Sequence, residues 1–486
     1  MATLAPPEQT SVQMQLARYY LHKLRAASAA VQHGQGSAAY GLEMLNQEWE
    51  QIEHWQAYAA EHRSRDAGWA RLCMEFPLAG VEVLALRQSI AGRVRWLRAG
   101  LEAAEMLANE RAELAILDEL SGAYQLLGDL PQAENCATRL LERAEALQDK
   151  LAIGRAYYRL GSLDEERGRY PQGREKVQYA LNIFQQQGAQ TDAGRALQRL
   201  GAIALYSSEY EQAYHHFSRH LEIMEAAGRM SEVCTGLLSI AQALMLLDEI
   251  DRAEPYIRRA VQLSRLLGYQ RLLGAGLIML GQWTAEQGQM EQELQYYAQG
   301  IAAARAAGSQ RDVIHGLSNS GLARMHSGDL QGALRDLQAG LELARQAGLP
   351  RFICNLQRNI ADAYLLSGEA EKARRPLEEA LRLAGEQGSI YPVIKALTSA
   401  VHYLVIQERF SEAAVWAGAL IGRHEVDQRL FIPLLARLEA ALGRDVCWQT
   451  LNRGRDIDIQ ASLPQILEQI GQPHSDTLND TIRQTK

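Results

Sequence analysis

Residues 110–429 repeat with a fixed period of forty residues, without insertion or deletion. Written in blocks of that length, Ser121, Gly161, Gly201, Ala241, Gly281, Gly321, Ala361 and Val401 share one column, and all but the last are very small. Large apolar residues recur just upstream, in one column as Leu117, Tyr157, Leu197, Leu237, Leu277, Leu317 and Leu397, and in another as Leu120, Leu160, Leu200, Ile240, Leu280 and Ile360. A second small column holds Ala133, Gly173, Ala213, Ala253, Ala333, Ala373 and Ala413, and an apolar one follows from Leu141 through Leu181 and Leu221 to Ile421. Glycine then closes six consecutive blocks at Gly188, Gly228, Gly268, Gly308, Gly348 and Gly388.

A period of this size means a stacked array, and the apolar spacing inside each block is helical rather than alternating. Each block is therefore expected to be two antiparallel helices. Where two helices cross closely only Gly, Ala or Ser fits, and Leu or Ile fills the ridges beside the crossing. The closing glycines suit a left-handed residue at a helix end. The expected fold class is all-α, a right-handed α-solenoid of helical hairpins.

The pattern resembles the tetratricopeptide repeat in its long-helix form of about forty residues. Leu160-Gly161, Gly168, Tyr170 and Ala180-Leu181 carry the likeness, as do Ile360-Ala361, Tyr364, Gly368, Ala373 and Ala380-Leu381. Such repeats are scaffolds, so the resemblance implies a binding surface without naming its ligand.

Outside the array, residues 1–10 read as a flexible lead and 11–69 as an N-terminal helical cap of two helices, over 13–31 and 38–62. The second carries Leu42, Leu45, Trp49, Ile52, Trp55 and Tyr58 on one face, as a core would. Residues 70–109 form a degenerate repeat, in which Ile90, Trp96 and Leu101 keep the phase while Val81 and Arg93 break the small columns. Eight regular repeats fill 110–429. A C-terminal helical cap over 430–472 has helices at 431–443 and 463–470, and a disordered tail spans 473–486. The segments Leu45 to Ala59 and "ALGRDVCWQTLNRGRDIDIQASLPQIL" resemble the opening and close of the repeat arm in bacterial signal-transducing ATPases with numerous domains. A Gly-rich phosphate loop ending in Lys-Ser or Lys-Thr does not occur, so the resemblance implies sensing or docking and no ATP hydrolysis.

The chain has 486 residues, 47% hydrophobic and 22% charged, with a net charge of -8, which argues against a nucleic-acid partner. Its five cysteines lack metal-type spacing and read as reduced thiols. With no signal-peptide pattern at its start and no apolar run of membrane-spanning length, the expected setting is cytoplasmic, off the membrane. No catalytic constellation stands out, so the chain is expected not to be an enzyme, with no cofactor and no metal. His216 and His220 have a four-residue spacing open to a metal, but a third ligand and the Glu of a zinc protease are both missing.

The expected business surface is the concave face lined by the first helix of each unit. One column there holds Arg155, Arg195, His315 and Asn355, and the next Arg159, Arg199, Asn319 and Asn359. Tyr158, Gln198, Gln242 and Gln282 complete the candidate groove. Asn319 and Asn359 match the position at which long tetratricopeptide repeats hold a peptide backbone, a task suited to a group that both donates and accepts. Arg155, Arg159, Arg195 and Arg199 form a square of guanidinium groups. It reads either as a clamp for an anionic ligand or as partners for Glu165, Glu166 and Asp164. The function expected is an interaction or sensor scaffold, binding a peptide or protein segment in bacterial signalling. A structural adaptor that assembles with itself, as a homo-oligomer, or with a separate effector is the alternative, with an enzyme third.

Overall fold

A computed structural model describes residues 6–32, 36–81, 83–84, 88–386, 390–423, 426 and 428–471. Among them the structure is all helix, and consecutive helices pack as hairpins. The chain divides into two compact units, Met1–Met279 and Leu280–Lys486.

The first unit opens with α1 (Pro6–Gln32), α2 (Gly36–His62), α3 (Ala67–Ala79) and α4 (Ile90–Met106). Helix begins at Pro6, inside the stretch expected to be a flexible lead. Proline's fixed φ suits a first helical turn, and its missing N–H costs nothing there. The aromatic face of α2 is core as expected: Trp49 stacks on Trp96 of α4 at 6.0 Å, and Trp55 is also buried. The degenerate repeat has its first helix cut short, with α3 ending at Gly80.

Regular hairpins follow: α5 (Glu110–Leu127) with α6 (Leu130–Ala146), α7 (Lys150–Glu166) with α8 (Tyr170–Gln186), α9 (Gln190–Tyr206) with α10 (Tyr210–Ala226), and α11 (Met230–Leu246) with α12 (Ile250–Leu266). Helix α13 (Gln270–Glu286) runs across the division between the units. In the second unit α14 (Met290–Ala306) precedes the hairpins α15 (Gln310–His326) with α16 (Leu330–Gln346), and α17 (Pro350–Leu366) with α18 (Ala370–Glu386).

The two small columns face each other where the helices of a hairpin cross. A Cβ on Gly161 would lie 2.9 Å from the Gly173 carbonyl oxygen, and a Cβ on Gly173 would lie equally close to the Gly161 oxygen. In α5–α6 the same place holds Ser121, whose hydroxyl donates to the Ala133 carbonyl at 2.9 Å. The residue four beyond the second column fills the remaining space, as Val177, Phe217 and Leu337 do against Gly161, Gly201 and Gly321.

The closing glycines Gly188, Gly228, Gly268, Gly308 and Gly348 all have positive φ, as expected, while Gly388 lies outside the described residues. A left-handed residue also stands midway in each block, so the backbone repeats every twenty residues, at 108, 128, 148 and onward to 368, and again at 408. Nearly every described three-residue linker closes with the same bond, from the N–H after the left-handed residue to a carbonyl five residues earlier, the linker at 327–329 being the exception. Asp129 N to Tyr124 O, at 3.0 Å, is one example. Ala108, Gln148, Ser208, Asp248 and Glu408 hold this conformation without being glycine.

The eighth repeat departs from the others. Helix α19 (Ile390–Ile406) has full length, but α20 (Phe410–Leu420) stops early, with Ile421 extended and Gly422 left-handed. The cause is the cap, α21 (Gln428–Leu442), α22 (Arg444–Gly454) and α23 (Leu463–Gly471). Gly418 on α20 and Gly454 on α22 cross backbone to backbone, leaving no room for a Cβ on either. Trp416 donates its indole N–H to Gln469 of α23 at 2.6 Å. The expected C-terminal helices are thus present with α22 between them, and the expected tail lies outside the described residues.

Candidate functional site

The candidate wall is the face shared by the first helices of successive hairpins. Its wall residues are linked by a recurring offset. A residue at one position of a unit meets the residue forty-one further on: Arg159 Nε donates to Asp118 at 2.6 Å, Gln198 Nε2 to Ser239 at 2.7 Å, and Asn359 Nδ2 to Ser318 at 3.3 Å. These rungs tie α5 to α7 and α9 to α11 in the first unit, and α15 to α17 in the second.

In the first unit the wall is a charge ladder. Arg159 and Arg199 both approach the Tyr158 ring, 5.8 and 6.0 Å from its centre. Gly122 gives the Arg159 guanidinium its space, since a Cβ there would stand 2.5 Å from Nη1. Arg155 pairs with Asp192 at 3.0 Å, Arg195 with Asp192 and Glu232 at 3.5 and 3.4 Å, and Arg199 with Glu165 at 2.7 Å. The square of guanidinium groups therefore forms, but the local reversal of sign expected of a clamp does not, because each arginine meets a carboxylate. Of the acids anticipated as partners, Glu165 takes that role, whereas Asp164 serves Arg169 and Lys176.

Burial works against the charge of Arg159, yet Asp118 and Glu119 outweigh it and hold the side chain protonated. Tyr158 is likewise opposed by burial, and the two arginines still draw its hydroxyl below the ordinary phenol range. Gln242 is exposed on this wall. His220 is a packing residue between hairpins: Nδ1 sits 2.8 Å from the Gly194 carbonyl oxygen and Nε2 3.2 Å from that of Glu232. Burial pushes its imidazole down from the ordinary value. With both nitrogens facing carbonyl oxygens, the His216–His220 spacing offers no free ligand pair. Among the described residues no group of three His, Cys, Asp or Glu is placed to hold a metal ion. Nor is any helix among them long and apolar enough to cross a membrane.

In the second unit the wall is different in kind. Asn319 on α15 and Asn359 on α17 occupy equivalent places one repeat apart, with His315 and Asn355 exposed a turn earlier on the same helices. Asn359 is 1% exposed and its Oδ1 has no hydrogen-bond partner among the described residues, and neither has the buried Nδ2 of Asn319. Each carboxamide thus retains one unused polar atom, a donor on Asn319 and an acceptor on Asn359. Beside them Arg358 pairs with Asp362 at 3.0 Å and leaves its buried Nε unpartnered. Gln282 is half-buried on α13. Reading columns at an offset of forty found these residues, and it missed the carboxylates Asp118, Asp192 and Glu232, which stand at offsets of thirty-seven and forty-one from their arginines.

Residues 312–386 match the family model of the tetratricopeptide repeat. Among curated proteins none matches the chain in sequence. Among solved structures, a Rap protein complexed with Competence and Sporulation Factor is similar at a TM-score of 0.56 and 13% identity, over 76% of this chain and 100% of that one. The apo form of the quorum sensor NprR from B. thuringiensis gives 0.48 and 15%, over 75% and 98%. A signal transduction ATPase with numerous domains and a tetratricopeptide repeat sensor, from Pyrococcus horikoshii, gives 0.47 and 15%, over 82% and 55%.

Proposed function

Since the chain is a tetratricopeptide-repeat protein, we propose that it is a binding scaffold that receives an extended peptide or protein segment on the wall of its second unit, at Asn319 and Asn359. The observation that carries this reading is the pair of carboxamides at equivalent places one repeat apart, each with one buried polar atom unused. Leaving such atoms buried costs about 1–3 kcal/mol each. An extended backbone offers both a donor and an acceptor to them. Equivalent places on neighbouring packed helices are roughly 10 Å apart, which about three residues of extended chain span. The similar Rap protein, complexed with Competence and Sporulation Factor, supports an array of this kind as a ligand holder. In this reading the paired arginines of the first unit stiffen the wall rather than bind.

The test is selection of a random heptapeptide display library on the whole chain, followed by titration of the enriched peptides. Two lost hydrogen bonds at about 0.5–1.5 kcal/mol each predict roughly tenfold weaker binding to Asn319→Ala/Asn359→Ala. Peptides that bind the double variant as tightly as the parent would refute the site. A second reading, self-assembly through an end, is favoured by the exposed Leu430, Ile432, Val446 and Trp448 on the packed helices α21 and α22.

A further inference from the structure

The second small column has one exception. Between Ala253 and Ala333, the corresponding residue is Glu293, at the hairpin crossing opposite Gly281. Elsewhere this place holds Ala or Gly because a larger side chain has no room, and in α7–α8 even a methyl group would collide. Glu293 nevertheless lies at this crossing and is 8% exposed. Its carboxyl meets the hydroxyl of Tyr297, one turn further along α14. The Tyr297 ring in turn fills the space over Gly281, where a Cβ would stand 2.5 Å from it. A single hydroxyl donor cannot replace the water that a carboxylate loses on burial.

We propose that Glu293 is a proton-operated release for the crossing within residues 281–306: protonated, it packs as a neutral side chain at the crossing, and ionised, it drives α14 away from the 281–286 end of α13. The crossing itself is the argument. A neutral carboxyl can donate or accept one bond to the tyrosine, whereas the carboxylate presents two acceptors to a face with one donor.

The surroundings on balance favour the neutral form. Burial raises the carboxyl above the ordinary Glu value, Tyr297 lowers it, and Glu286 on α13 raises it further. Helix α15, packed on the other side of α14, brings no charge that shifts it among the described residues. The folded state therefore holds its proton to a higher pH than the unfolded chain does. This contribution to stability is complete below the unfolded Glu pKa and is lost as pH rises through the folded one.

The experiment is hydrogen exchange of the whole chain across pH 5 to 8, corrected for the intrinsic rate. Opening of residues 281–306 is expected to rise at least about threefold over that range relative to α16 and α17. Glu293→Gln, which keeps the shape without the charge, is expected to abolish the pH slope. Glu293→Ala installs the residue found at most equivalent positions and is expected to fold and to exchange more slowly at pH 8. A side-chain carboxyl titration by NMR gives an independent readout. An ordinary Glu midpoint, or an unchanged slope in Glu293→Gln, would overturn the proposal.

Discussion

Adding one methyl group at Gly161 tests the packing argument at its tightest point. Alanine improves on glycine in a helix interior by about 1 kcal/mol, so on propensity the variant should be more stable. At this position the new Cβ would stand 2.7 Å from Val177 Cγ2, 2.9 Å from the Gly173 carbonyl oxygen and 3.1 Å from Lys176 Cβ. Val177 can turn, but the carbonyl belongs to the backbone of α8 and moves only with the helix. Overpacking of this kind costs about 1–3 kcal/mol, leaving a net loss of roughly 1 kcal/mol after the propensity gain. Gly340→Ala is the control, because its nearest neighbour is the side-chain atom Leu356 Cδ2 at 3.2 Å, which can give way. That variant is expected to gain up to about 1 kcal/mol.

Global melting is a poor gauge in a stacked array, where units open separately. Exchange protection within residues 150–186 and 330–366 is the better measure, with about 1.4 kcal/mol corresponding to a tenfold change. The two substitutions should move protection in opposite directions. If Gly161→Ala exchanged as slowly as the parent or more slowly, the crossing would not be sterically closed and the small columns would need another explanation.

Arg199→Gln leaves Glu165, 6% exposed, without its partner, and should cost about 2–4 kcal/mol in exchange protection within residues 150–206. Adding Glu165→Gln should restore most of it, and a double variant no better than the single one would show that the ladder is not electrostatic. Glu408 holds a left-handed conformation, φ 58, so Glu408→Gly is expected to raise stability by about 0.5–1 kcal/mol, measured as slower exchange within residues 390–420. Faster exchange there would mean that the side chain contributes more than the backbone strain costs.

The forty-residue period was plain in the sequence because steric exclusion at a helix crossing permits so few residue types. The twenty-residue cadence was not, since Ser208, Asp248 and Glu408 stand where Gly168, Gly288 and Gly368 mark the same turn. Local hydrogen bonding fixes that conformation strongly enough to tolerate a side chain, so composition hides it. The four arginines were legible as a group, yet their neutralisation depended on Asp118, Asp192 and Glu232, brought in from adjacent helices at register offsets that only packing defines. Asn319 and Asn359 were visible as a pair, but their unused amide atoms emerge only from three-dimensional neighbours. The early end of α20 follows from Gly454, thirty-six residues away from Gly418, and no local pattern at 410–421 announces it.

The uniform linkers give the chain something like a reading frame. Within the regular hairpins the helices start and stop on the same left-handed turn, so a segment of one full period carries matching ends wherever it is cut. A single inserted residue has no such neutrality. It would turn the remainder of its helix by about 100°, carrying small residues off the crossing and charged ones onto it, until the next left-handed turn resets the phase. Errors of length are thereby confined to one helix, while errors of whole periods leave every joint intact. A protein so built can change how much surface it offers without changing how any part of that surface is made.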